Sequence, residues 1–407
     1  MVDEKAIQVA QEKFGALVRR QLERVENLKA EEGPVDYSKL DKLIIGVCGG
    51  DGIGPYICAS AQKVMEFLLA DKIAAGKVEI RQIDGLTIER RAEVMKAIPD
   101  DTLAELKKCH VILKGPTTTP AKGDPWPNIE SANVAMRKEL DLFANVRPVS
   151  VPELGIDWTF FRENTEGSYA LGSDGFFVTD DLAMDFCVAT HQGTERIIRA
   201  GFEHAKKTGK NYVSIIVKAN IIKTTDGLFV DLADRIAKDY PEVKHDVWFV
   251  DITTAKLIDP ARRSDFKVFV LPNLYGDIIT DEAAQIQGGV GTAGSANIGN
   301  RYAMFEAIHG SAPRMVTEGR AQYADPCSMI KAVALMMNHI GESEKGRKLE
   351  MALDICTQFE KKLVMTGRST GATGDEFAQY VLDTIQRPDL EQAWQGYVDA
   401  AIAKAKN

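Results

Sequence analysis

The chain has 407 residues, enough at roughly 150 residues per domain for two or three domains whose cores need no disulfide staples. Hydrophobic residues make up 45% and charged residues 27%, which excludes disordered and fibrous classes. With 50 Lys and Arg against 59 Asp and Glu, a formal charge of −9, nothing suggests a general affinity for nucleic acid or anionic membrane, so a bound anion must meet a local basic cluster.

From about residue 4 to 30, Ile7, Ala10, Phe14, Leu17, Leu22 and Val25 recur at roughly helical spacing, which predicts an amphipathic helix packed on the main body. Gly33-Pro34 ends it. The apolar run Leu43–Cys48 predicts a first buried strand, followed by a glycine turn and a helix over about 55–69. Further buried strands are predicted at 111–113, 158–161, 212–217, 247–250 and 267–271, with helix-length segments such as 190–207, 226–240 and 324–340 between them. Strands alternating with helices imply an α/β architecture. Six scattered cysteines with no Cys-x-x-Cys pair suit a reducing cytoplasm. The first 20 residues fit neither a signal nor a transit peptide, and nowhere do ~18 apolar residues run together, so a cytoplasmic protein without membrane spans is expected.

The turn GGDGIGP (49–55) sets four glycines before a helix, where exposed backbone amides suit an anion; a tight turn with no ligand reads the same. Its spacing is not a dinucleotide fingerprint, because Pro55 stands where a third glycine would follow Gly50 and Gly52. A literal G-x-G-x-x-G at Gly289, Gly291 and Gly294 follows a helical segment and fails the strand context. In NLYGDIITDEAA (273–284), Asp277 and Asp281 share one face if the segment is helical. Like charges there repel unless a cation intervenes, and carboxylates suit Mg²⁺ or Mn²⁺, although an exposed acidic face has the same pattern.

Ser131, Asn133, Arg137, Arg147, Arg162 and Tyr169 fall in SANVAMR, NVRPV and RENTEGSY. Three arginines offer forks for bidentate carboxylate recognition and so for a multiply charged anion, while each alone is an ordinary ion-pair partner. Lys218 and Lys223, in VKANIIKTTDG, lie at a strand end, where a lysine is either a base with a lowered pKa or a solvated cap. His309 has no second His or Cys at ligand spacing.

GGDGIGP, KGPTTTP, SANVAMR, NVRPV, RENTEGSY, KANIIK, NLYGDIITD, GSANIG and HGSAP follow one another between about residues 43 and 385. In this the sequence closely resembles the metal-dependent, decarboxylating isocitrate/isopropylmalate dehydrogenase family, and isocitrate dehydrogenase most of all. The resemblance implies a two-domain α/β fold that is not a Rossmann fold: an N-terminal helical extension (1–42), a large cofactor-side domain (43–142 and 289–407), and a small domain (143–288) with a dimer clasp at about 168–190. It implies a homodimer with shared sites, in which Arg137, Arg147 and Arg162 clamp carboxylates. Thr119, Ser131 and Asn133 join them on the substrate, and Asp277 and Asp281 hold the metal with Asp251 of the other chain. Tyr169 and the other chain's Lys223 become the acid/base pair. Cofactor residues by the same carry-over are Thr118, His309, Gly310, Ser311, Ala312, Pro313, Arg314, Met315 and Asp325.

Ser131 and Asn133 suit a third carboxylate, hence isocitrate, with homoisocitrate, isopropylmalate, tartrate and other malate derivatives as alternatives. Arg314 stands where NAD-linked relatives carry Asp, which favours NADP; against it, Met315 replaces the Tyr or His of NADP-linked relatives, and the GRSTGATGDEF segment (367–377) resembles the NAD-linked pattern. A non-catalytic regulatory subunit would be marked by loss of the lysine, tyrosine or metal carboxylates, and all are present. The expected ligand is thus a small polycarboxylate and not a nucleic acid.

Overall fold

Consecutive apolar residues form strands covered on both faces, because a parallel strand with helices on each side has no wet face to carry polar side chains. The computed structural model describes residues 3–29, 33–121, 123–171, 174–289 and 293–405. Among them the strands are β1 (Leu43–Cys48), β2 (Val78–Gln82), β3 (Val111–Lys114), β4 (Ala144–Val151), β5 (Ile156–Glu163), β6 (Phe176–Thr179), β7 (Leu182–Met184), β8 (Tyr212–Val217), β9 (Lys244–Phe249), β10 (Val268–Leu271), β11 (Gly294–Ile298) and β12 (Ala303–Ala307). Helices used below are α1 (Glu4–Lys29), α2 (Gly54–Leu68), α3 (Ala132–Glu139), α4 (His191–Thr208), α5 (Thr225–Ile236), α6 (Val250–Leu257), α7 (Asn273–Gln287), α8 (Pro313–Thr317) and α9 (Cys327–His339). Val250, read as the end of a strand, instead opens α6.

The chain divides into two compact units. Unit 1 comprises Met1–Gly33, Phe143–Asn145 and Trp158–Glu282; unit 2 comprises Pro34–Leu142, Val146–Asp157 and Ala283–Asn407. In unit 2 the strand order is β2-β1-β3-β12-β11, parallel except for the antiparallel β11–β12 pair. Val111 and Leu113 of β3 enter one core with Ile45, Val47 and Phe305, while Ile112 between them enters another with Cys48 and Met304. In unit 1 the order is β5-β10-β8-β9, all parallel. Phe160 stacks on Phe269 at 4.4 Å with Trp158 edge-on to both, and α4 comes so close that a Cβ on Gly201 would stand 2.4 Å from Val270.

Two local expectations are revised. The apolar stripe of α1 does not bury it, since Leu17 alone is buried and Phe14 and Leu22 are 48% and 62% exposed. Instead α1 is tied to unit 1 by Arg24–Glu166 and Arg20–Asp174 ion pairs and by Phe14 against Phe186. Three amides of the 49–55 turn are taken up by main chain, Gly54 N donating to Asp51 O among them. Asp51 N donates to Pro116 O and Ile53 N to Ser311 O, while a Cβ on Gly52 (φ +59°) would stand 1.9 Å from Ser311 O. The turn is demanded by backbone meeting backbone, and the buried Asp51 carboxylate fixes it by accepting from the Ile88 and Thr118 amides at 2.7 Å each. Gly291 of the other glycine motif lies outside the described residues.

Candidate active site

In unit 1 the register of β5 against β10 pairs Arg162 with Leu271, two residues before α7 begins. That placement brings the Arg162 side chain, 1% exposed, onto the first turn of α7. Its Nε and Nη2 donate to Asn273 Oδ1 at 3.0 and 2.6 Å, and its Nη1 pairs with Asp277. Tyr169 donates its hydroxyl to the other Asp277 oxygen at 2.6 Å, and the Arg162 guanidinium lies 5.3 Å from the Tyr169 ring centre. A Cβ on Gly276 would stand 2.5 Å from Arg162 Cγ, so the NLYGD sequence needs glycine there for the arginine to pass. Arg162, Tyr169 and Asp277, read separately from the sequence, therefore converge.

Asp281 follows one helical turn beyond Asp277 and is exposed. Two carboxylates on one face offer oxygen donors of the kind Mg²⁺ or Mn²⁺ takes, and such ions commonly keep only one or two protein carboxylates beside water and substrate oxygens. The pair fits that role, although no group of three metal-capable side chains forms among the described residues. Asp251, on α6, pairs with Lys218 at 2.6 Å, and that bond holds its carboxyl below the usual range. Lys223 is exposed in the turn between β8 and α5, while the buried Asp226 accepts the Lys218 amide at 2.6 Å and shapes that turn.

Unit 2 carries a second cluster. Arg137 on α3 and Arg147 on β4 stand near Glu306 of β12, a buried carboxylate that Arg137 Nη2 reaches at 3.4 Å and Lys114 Nζ, fully buried, at 3.5 Å. Burial pushes the Glu306 carboxyl up, but Lys114, Arg137, a hydrogen bond from Asn297 and Arg147 outweigh it and hold it below the usual range. Glu306 thus draws Lys114, Arg137 and Arg147 together at one point of unit 2. Arg137 Nε is buried and meets no acceptor among the described residues. Ser131 is the first flank of α3 and leaves its hydroxyl out of the helix cap; Asn133 accepts from Thr117 at 3.1 Å, and Thr119 is exposed.

The expected cofactor residues also lie in unit 2. Thr118 and Ser311 share a hydroxyl hydrogen bond of 2.9 Å, Ala312 adopts φ +42°, and Pro313 opens the short helix α8. Arg314 and Met315 line a hollow of about 890 Å³ with Arg320, Tyr323 and Arg368, but Arg314 Nε and Arg320 Nη2 each reach Glu318 at 2.5 Å. His309 Nδ1 lies 3.1 Å from the carbonyl of Gly310, and the Asp325 carboxylate accepts the Cys327 amide at the start of α9.

Sequence reading missed Asn273, Lys114, Glu306, Arg320, Arg368 and Glu318. Lys114 and Glu306 carried a usable signal, since a charge inside a buried apolar strand requires a partner.

Residues 44–367 match the model of the isocitrate/isopropylmalate dehydrogenase family. The chain belongs to that family. It is 36% identical over 317 residues to the NADP isocitrate dehydrogenase of Rickettsia prowazekii (strain Madrid E), which is 76% of this chain and 62% of that protein, so it spans less than two thirds of that relative. It is 35% identical over 353 residues to the homoisocitrate dehydrogenase of Methanocaldococcus jannaschii, 82% of this chain and 96% of that protein. The crystal structure of isocitrate dehydrogenase from Methylococcus capsulatus is similar with a TM-score of 0.73 at 34% identity, over 85% of this chain and 100% of that one. These comparisons agree with the α/β fold and the family expected from the motifs. The family-matched region begins after α1.

Proposed function

We propose that the protein is a homodimeric, metal-dependent isocitrate dehydrogenase that oxidises and decarboxylates isocitrate to 2-oxoglutarate and CO2 and reduces NADP. The convergence of Arg162, Tyr169 and Asp277 carries this reading: one guanidinium fork, one phenol and one metal-capable carboxylate meet around a single point of the chain. Ser131 and Asn133, on the same short helix segment as Arg137 and so near Lys114 and Arg147, favour a substrate with a third carboxylate.

In this reading Arg137, Arg147 and Arg162 bind two carboxylates of the acid, and Ser131, Asn133 and Thr119 the distal one. Asp277 and Asp281, with the partner subunit's Asp251, would hold Mg²⁺ or Mn²⁺. When bound, that ion supplies Lewis-acid stabilisation of charge developing on the substrate oxygen, and NADP supplies the hydride acceptor. The partner subunit's Lys223 takes the hydroxyl proton. After carbon dioxide leaves, Tyr169 delivers a proton to carbon; its hydrogen bond to Asp277 fixes where its hydroxyl points. Thr118, His309–Met315 and Asp325 lie on the cofactor side, with Arg314, Arg320 and Arg368 as guanidinium groups for a ribose 2′-phosphate. Glu318 between two of those arginines supports a second reading, NAD linkage, because a carboxylate accepts ribose hydroxyls and repels a phosphate.

The test is a steady-state rate matrix of isocitrate, homoisocitrate, isopropylmalate and tartrate against both nucleotides. NADP reduction with isocitrate that chelator abolishes and Mn²⁺ restores is the expected outcome. Turnover of another acid with isocitrate inert would move the substrate assignment.

A further inference from the structure

We propose that Arg24, on the helix preceding the family-matched region, is a positioning residue for the Arg162–Tyr169–Asp277 cluster, acting through two buried carboxylates, Glu163 and Glu166. The kinetic part of this inference rests on the function proposed above. Glu163 and Glu166 are 1% and 2% exposed. Glu163 folds the loop onto itself, accepting from the Thr165 amide and hydroxyl at 2.8 and 2.7 Å and from the Glu166 amide at 2.6 Å. Glu166 accepts from the Thr190 hydroxyl and amide at 2.6 and 2.9 Å, so it holds the start of α4. Its main-chain carbonyl accepts from Asn273 Nδ2 at 3.0 Å, and Asn273 Oδ1 in turn holds the Arg162 fork. The loop that carries the buried pair therefore also sets the angle of Arg162.

Two like charges buried three residues apart repel. Burial, and then the neighbouring Glu166, push the Glu163 carboxyl up to about 7. Arg24 reaches across from α1 to Glu166 Oε1 at 2.8 Å and to Thr165 Oγ1 at 3.3 Å. Arg196 on α4 also donates to Thr165 Oγ1, at 3.2 Å, while Cys187 and Asp226 line a narrow cavity on the other side and bring no positive charge. Arg24 thus offsets part of the repulsion from outside the family region and keeps the loop closed over the pair. A carboxyl whose folded pKa is raised loses stability as pH rises from its unfolded value, about 4.3, through its folded one. Removing Arg24 raises that pKa further and carries the loss to higher pH.

The experiment compares full-length wild type with Arg24→Gln, Arg24→Lys and the double variant Arg24→Gln/Glu166→Gln. Without ligand, hydrogen exchange in Arg24→Gln is expected to speed up roughly tenfold in 163–170 and in the first turns of α7, because opening of a pair once held by a buried ion contact is being read. Its melting deficit should be larger near pH 8.5 than near pH 6, Arg24→Lys should restore most of both, and the double variant should narrow the pH dependence. With the acid that wild type oxidises, its KM should rise roughly tenfold while kcat and the nucleotide KM change less than about threefold. Faster exchange confined to α1, with one melting deficit at both pH values, overturns the proposal and leaves Arg24 as a clip for its own helix. If wild type oxidises none of the four acids, the proposed function falls, while exchange and melting still decide the role of Arg24.

Discussion

Glu306→Gln probes the buried charge beneath the arginines of unit 2. The substitution leaves Lys114, which is fully buried, without its counter-ion while preserving shape and a partner for Asn297, now 2.8 Å from the carboxylate. Breaking a buried pair from one side costs about 3–5 kcal/mol, and the retained hydrogen bond argues for the low end. For a unit of about 250 residues, where 1 kcal/mol moves Tm by about 2–4 °C, a loss of ~3 kcal/mol lowers Tm by roughly 6–12 °C. Lys114→Met/Glu306→Gln removes both charges and should recover much of the loss. The folded carboxyl lies below its usual range, so its stabilisation is present above the unfolded pKa, about 4.3, and is lost as pH falls. Calorimetry should therefore show the gap between wild type and Glu306→Gln unchanged from pH 7 to about pH 5 and narrowing only as the pH falls below about 4.3. A variant melting within about 2 °C of wild type at pH 7 refutes the reasoning, because the pair would then not be desolvated.

Tyr169→Phe keeps the ring beside Arg162 and removes the proton donor; kcat should fall about 10²–10⁴-fold with the KM for the acid within a few-fold, and a near-normal kcat would remove Tyr169 from the acid role. Glu318→Gln releases Arg314 and Arg320 for a ribose phosphate, so the ratio of kcat/KM for NADP over NAD should rise roughly tenfold; an unmoved ratio would place the adenosine end elsewhere.

The sequence disclosed features that are local. Leu43–Cys48, Tyr212–Val217 and the α4 segment were legible because continuous apolar runs and helical spacing state their own burial. Arg162, Tyr169 and Asp277 were legible as residue types in ordered motifs, but their convergence depends on the register of β5 against β10. Asn273 looked like an ordinary helix opener, and only that register turns it into the acceptor for Arg162. Lys114 and Glu306 lie 192 residues apart, and no spacing rule links them. The antiparallel β11–β12 pair and the β6–β7 hairpin went unread, since short strands rich in Gly, Ala and Phe give a weak alternation.

The contact between Gly52 and Ser311 also governs when the chain can fold. The first strand-turn-helix of unit 2 closes against a carbonyl that leaves the ribosome hundreds of residues later, at 5–20 residues per second a delay on the order of ten seconds or more. Throughout that interval β3 lacks β12, the strand that pairs with it. The sheet of unit 2 therefore cannot close until the last third of the polypeptide arrives, so its first strands must wait for their partner.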